Sequence, residues 1–122
     1  YTQFEYAQAR LSSSTIGKSE STKLSVTLLN KGKRAGDEVV QLYIRDDYSL
    51  VTRPVKELKG FTRVSLEPGE KREIHFDITA DMLAYYDQDM NWQVEAGDFS
   101  IMVGGSSRDP DLEVVKLNVQ SD

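Results

Sequence analysis

The sequence predicts an all-β protein, an antiparallel β-sandwich of about seven short strands. Two observations carry that prediction. Apolar residues recur with period two in run after run, as in Leu24, Val26 and Leu28 and again in Ile74, Phe76 and Ile78, the pattern of strands with one buried face. Turn residues such as Asn30, Gly32, Pro68 and Gly69 separate these runs, and no helix of ordinary length is indicated. An up-and-down barrel is the competing architecture. The long connection through Tyr48 to Pro54 suits a sandwich crossover better than a hairpin meander.

In chain order, Phe4 and Tyr6 alternate with polar residues in a first strand over 1–11, and Ser12 to Gly17 reads as a surface loop. Lys23 to Asn30 is a half-buried strand. Asp37 to Asp46 follows, with Val40, Leu42 and Ile44 inward and Tyr43 on the opposite face. Lys56 to Leu66 offers Leu58, Phe61, Val64 and Leu66 to the core, and their spacing slips near Gly60, as at a bulge. Glu67 to Glu70 is a turn in which Gly69 takes a positive φ. Lys71 to Ile78 is the cleanest strand, with Glu73, His75 and Asp77 outward. Thr79 caps one helical turn, and Tyr85 or Tyr86 can serve as a corner tyrosine. Trp92 to Ala96 and Phe99 to Val103 read as a hairpin about Gly97, with Trp92 and Phe99 as core anchors. The last strand uses Leu112, Val114, Leu117 and Val119, with one slip in register.

At 122 residues the chain fits one domain, 1–122, with no break in composition. A chain of this size buries roughly two-thirds of its unfolded surface, enough for one core without covalent staples. The net charge is −5 with the two signs interspersed, so no basic stripe exists for a phosphate backbone and nucleic acid is not expected as a partner. Cysteine is absent from the sequence, which removes disulfides and thiolate chemistry but leaves the compartment open. No apolar run approaches the ~20 residues of a membrane-spanning helix, and no membrane partner is expected. The first residue is Tyr1, so a piece excised from a longer polypeptide is expected.

Candidate sites are few. His75, the single histidine, stands on an outward strand face beside Glu73 and Asp77 with no pocket to make it a general base. Asp87, Asp89 and Asn91, with Asp98 further on, mimic liganding positions of a calcium loop, but Trp92 stands where that loop needs glycine. No metal is therefore expected, and a reversal held by Asx turns is the reading preferred. The acid pairs Asp46/Asp47 and Asp109/Asp111 lack a cleft between them for glycosidase chemistry. The segment with Tyr48, Leu50, Val51, Arg53, Pro54 and Val55 differs: apolar and aromatic residues with an arginine, and no evident way to bury them internally. That is the composition of an interface core, and these six residues are expected to form a docking surface.

Three runs, NKGKRAGDEVVQLYIRD, VTRPVKELKGFTRVSLEPGE and YYDQDMNWQVEAGDFSIMVGGSS, occur in an order that resembles the fibronectin type III-like domain at the C-terminus of glycoside hydrolase family 3 enzymes, β-glucosidases and related exo-acting glycosidases. The likeness covers essentially the whole chain, and 31–36 and 52–61 match the family pattern well. Ala96 departs from it, standing where the family usually has proline before Gly97. The resemblance implies an immunoglobulin/fibronectin type III-like sandwich packed against a catalytic barrel and an α/β domain of the same polypeptide. It further implies that the nucleophilic aspartate and the acid/base lie outside this chain, which has no catalytic residue and no cofactor of its own. For the parent it implies retaining hydrolysis of terminal β-D-glucosyl residues from a β-glucoside or oligosaccharide, in a compartment left open, periplasmic or secreted ahead of cytoplasmic. The alternatives are an independent carbohydrate-binding module, with Tyr43, Tyr48, Tyr85 and Trp92 as candidate stacking residues, and a cell-surface adhesion module.

Overall fold

The structure is a computed structural model, and it describes residues 3–47, 56–86, 89–90, 92–94, 96–108 and 112–121. The elements, in order, are β1 (Phe4–Leu11), β2 (Thr15–Gly17), β3 (Thr22–Asn30), β4 (Gly36–Asp46), β5 (Glu57–Leu66), β6 (Lys71–Ile78), α1 (Ala80–Leu83), β7 (Tyr85–Tyr86), β8 (Trp92–Gln93), β9 (Gly97–Gly104) and β10 (Glu113–Gln120). A three-stranded sheet in the order β1-β3-β6 faces a five-stranded sheet in the order β2-β10-β9-β4-β5. One apolar cluster joins them: Leu24, Val26 and Leu28 of β3 and Ile74 and Ile78 of β6 meet Val40, Leu42, Ile44, Phe99, Ile101, Val103, Leu117 and Val119. These are the alternate residues that the period-two pattern assigns inward, and burying each large side chain is worth about 2 kcal/mol.

Four local expectations change. Ser12 to Gly17 is not all loop, because Thr15 to Gly17 pairs in parallel with Asn118 to Gln120 and buries Ile16. The expected hairpin about Gly97 does not form. β8 pairs instead with β7, while β9 lies between β10 and β4. β9 is buried on both faces from Phe99 onward and is paired along both edges, and Gly97, at φ 142°, starts it. The side chains of Tyr85, Tyr86 and Trp92 lie outside the description.

The third change concerns β5. Leu42 stands opposite Gly60 but Tyr43 stands opposite Leu58, so Lys59 is the extra residue of a bulge at the place the spacing indicates. The bulge inverts the alternation across it. Leu58 and Phe61 therefore both point outward and are 51% and 70% exposed, where the sequence puts them in the core. Phe76 packs over the side-chain-free face of Gly60, whose added Cβ would lie 3.6 Å from the ring. In the fourth, β10 runs beside β9 without a slip from Glu113 to Val119. Val115 joins Leu117 and Val119 inward and Val114 is turned out. Two adjacent valines fit either parity, and pairing with β9 decides between them.

The turns are held from inside. Gly69 has φ 77°, as its position in the turn requires. Its N–H donates to the carbonyl of Asn30 at 2.8 Å. The Asn30 side chain, fully buried, donates to the carbonyls of Arg34 (2.9 Å) and Leu66 (3.0 Å) and accepts from Gly32 N–H (2.8 Å). One amide thus staples the β3–β4 turn to the end of β5. α1 starts where Thr79 is placed by the sequence, with Met82 N–H donating to the Thr79 carbonyl at 3.1 Å.

Candidate functional site

The densest polar cluster lies at the end of β4. Asp47 is carried there by the strand, and its carboxylate accepts from Ser100 Oγ at 2.9 and 3.0 Å, from Lys116 Nζ at 2.8 Å and from Arg45 Nε at 3.2 Å. Lys116 also donates to Ser100 Oγ at 2.6 Å. The strand register produces this: Ser100 is opposite both Arg45 and Lys116. A serine beside a lysine suggests nucleophilic catalysis, but here the ammonium donates to the hydroxyl and the hydroxyl proton points at a carboxylate. A Ser–Lys nucleophile needs the reverse, an amine accepting the hydroxyl proton. The cluster is a clamp on the point from which segment 48–55 departs.

Burial raises the Asp47 pKa, but the hydrogen bonds from Lys116, Ser100 and Arg45 outweigh it and hold the carboxyl below its ordinary value. Asp37 is also lowered, by Ser65 and then Arg63, and Glu70 by the Glu67 N–H and then Arg72. The stability these groups contribute is present above the ordinary carboxylate pKa of about 4 and is lost as pH falls through their lower folded values. We expect the melting temperature of the wild type to fall as pH drops below about 4, and Asp47→Asn to flatten that slope. Parallel pH profiles for the two proteins would contradict the clamp.

A general acid of a glycosidase needs a raised pKa, the opposite of what Asp37, Asp47 and Glu70 show. Two surface depressions, of about 320 and 400 Å³, lie beside Asp81 and Val94 and beside Asp37 and Glu70. The second thus brings together two carboxylates held below their ordinary pKa, Asp37 by Ser65 and then Arg63 and Glu70 by the Glu67 N–H and then Arg72.

His75 occupies the outward face of β6 as expected, with Nδ1 2.8 Å from Ser25 Oγ and Nε2 3.1 Å from Glu73 Oε1. The sequence indicates Glu73 but not Ser25, which pairing of β3 with β6 brings opposite. Serine, histidine and glutamate lie in line, yet on an open sheet face, half exposed, with Glu73 also paired to Arg10. Nothing there excludes water or cradles an oxyanion. Among the described residues no group of three or more His, Asp or Glu is placed to hold a metal. Asp98, offered as the closing ligand of a calcium loop, lies in β9 and accepts from Asn118 Nδ2 at 2.7 Å; Asp87 and Asn91 lie outside the described residues. So do Asp109 and Asp111, and so do all six residues of the expected docking segment, Tyr48, Leu50, Val51, Arg53, Pro54 and Val55.

Tyr43 is buried with Met102 and Leu112, its hydroxyl donating to Gln41, so it offers no ring for stacking on a sugar. Tyr6 donates to Glu38 Oε2 at 3.1 Å and ties the two sheets together. Burial first, and Glu38 second, push the Tyr6 phenol pKa far above its usual value. This bridge is not legible in the sequence, since neither residue carries a pairing signal.

Two facing sheets, antiparallel except for the short β2, with a filled interior and structural ion pairs define an immunoglobulin-type sandwich module. The family model described as a fibronectin type III-like domain matches residues 38–107, and the chain belongs to that family. It is 45% identical over 120 residues to a β-xylosidase of Formosa agariphila, covering 98% of this chain and 17% of that protein. It is 44% identical to thermostable β-glucosidase B of Acetivibrio thermocellus, covering 97% of this chain and 16% of that protein. Among solved structures, a β-glucosidase from Erythrobacter marinus superposes with a TM-score of 0.90 at 37% identity, over 98% of this chain and 16% of that one. The chain spans about one-sixth of the length of these relatives.

Proposed function

We propose that this chain is a non-catalytic accessory domain of a family 3 β-glucosidase, one domain of a longer polypeptide, packed against the catalytic domains of that same polypeptide. The observation that carries the reading is the match of nearly the whole chain to about one-sixth of glycosidases, together with carboxylates held ionised by hydrogen bonds from neighbouring side chains. The parent removes terminal β-D-glucosyl residues with retention, without metal or nucleotide, using a nucleophile and an acid/base outside this chain. Segment 48–55 contributes to docking, on the strength of its apolar residues and Arg53.

The full-length polypeptide tests this. Exchanging Arg53 for Glu and Val55 for Asp should weaken docking by about 1–2 kcal/mol, read as earlier melting of this domain within the polypeptide, and should lower activity on an aryl β-glucoside. An aryl β-xyloside assayed alongside separates the two sugars. Unchanged melting and unchanged activity would count against docking through this segment.

A further inference from the structure

The outer face of the five-stranded sheet carries an apolar surface that the described fold leaves uncovered. Its register sets one row across four strands: Val114 stands opposite Met102, Met102 opposite Tyr43, and Tyr43 opposite Leu58. Phe61 lies in the adjoining row, opposite Gln41. The lysine inserted at the β5 bulge is what brings Leu58 and Phe61 to the same side. Tyr43 and Met102 form a buried floor, while Phe61, Leu58 and Val114 stand out from it, 70%, 51% and 50% exposed. The charged side chains beside it are ion-paired, Arg63 with Asp37, Lys116 and Arg45 with Asp47, and Lys59 of the bulge with Glu57. An apolar centre within a paired polar rim is the anatomy of a protein interface. The opposite side of the sandwich, by contrast, presents Ser25, His75, Glu73 and Arg10 in polar contacts.

We propose that this face, centred on Phe61 and Leu58, seats a complementary apolar surface on the remainder of the same polypeptide. The proposal rests on the accessory-domain reading and says which face docks. Two observations choose the occupant. Relatives this similar are about six times longer than the chain, so most of the polypeptide lies outside it. Segment 48–55, the docking segment inferred from composition, leads from β4 to β5, the two strands that bear Tyr43, Leu58 and Phe61. Face and segment are therefore continuous along the chain. A second copy is the alternative occupant, and dilution separates it in the experiment below.

Hydroxyl-radical footprinting of the full-length polypeptide, read by peptide mass spectrometry against the urea-unfolded protein, tests the face. Phe61 and Leu58 should be modified on the order of tenfold less than side chains of their exposure, as in an interface core, while His75 on the opposite sheet stays reactive. Phe61 reacting freely while Tyr48 and Leu50 are protected would overturn this face and leave docking itself standing. Phe61, Tyr48 and His75 all reacting freely would overturn both. Protection that disappears on dilution would assign the face to a second copy and overturn the proposal as stated.

Discussion

Replacing Asn30 with leucine will destabilise the fold by about 3 kcal/mol, with the melting temperature falling by roughly 10 °C. Leucine fits the volume and suits its apolar neighbours, so a view based on hydrophobicity alone expects a gain. The hydrogen-bond count gives the opposite sign. The substitution strips partners from the carbonyls of Leu66 and Arg34 and from the Gly32 N–H, each 2.8–3.0 Å from the amide. The Leu66 carbonyl is buried and costs about 1–3 kcal/mol when orphaned, while the groups of Arg34 and Gly32 are part-buried and cost less each. The backbone bonds of Asn30 to Glu70 and Gly69 survive, so the turns loosen while the strands persist. Urea unfolding of Asn30→Leu beside an exposed-site control, Lys33→Ala, measures the difference. A loss below about 0.5 kcal/mol, the range of ordinary surface changes, would sink this account of the turns.

The second large effect is a complete one: this chain by itself will not hydrolyse a glycoside. Glycosidases place two carboxyls ~5 to 9 Å apart across a sugar and raise the pKa of one. Here the interior between the sheets is occupied by leucine, isoleucine, valine and phenylalanine side chains. Asp37, Asp47 and Glu70 all have their pKa values displaced downward. Such groups give up a proton readily and are poor donors to a leaving alkoxide at neutral pH. The seryl clamp on Asp47 likewise has its hydroxyl engaged.

Strands were legible where one face is buried and β-branched or leucine residues alternate, as in β3, β4 and β6, because parity alone then fixes which side is inward. Legibility fails where parity depends on a distant partner. Leu58 and Phe61 are three apart and look like core residues until the unpaired Lys59 inverts the strand between them. Val114 and Val115 are equivalent until β9 chooses. The hairpin about Gly97 looked local, yet β9 satisfies both its edges with β4 and β10, and pairing between distant segments leaves no mark in a short window. Asn30 read as a turn residue, since nothing in its neighbours says that Leu66 will lie beside it. The partners of Asp47 are hidden for the same reason: Ser100 and Lys116 reach it only through the sheet. The family likeness, resting on three ordered runs, was visible at once, whereas the outer apolar face was not.

On the function proposed above, the chain is a filled sandwich whose carboxylates serve structure, with chemistry performed elsewhere in the parent. The most direct check is turnover of an aryl β-glucoside by the purified chain, shown to be folded by a cooperative melt, against a blank preparation and the full-length polypeptide. The account predicts hydrolysis by the full-length polypeptide and none above blank by the chain. Hydrolysis that copurifies with the folded chain, and is lost in Asp37→Asn, Asp47→Asn or Glu70→Gln, would contradict it.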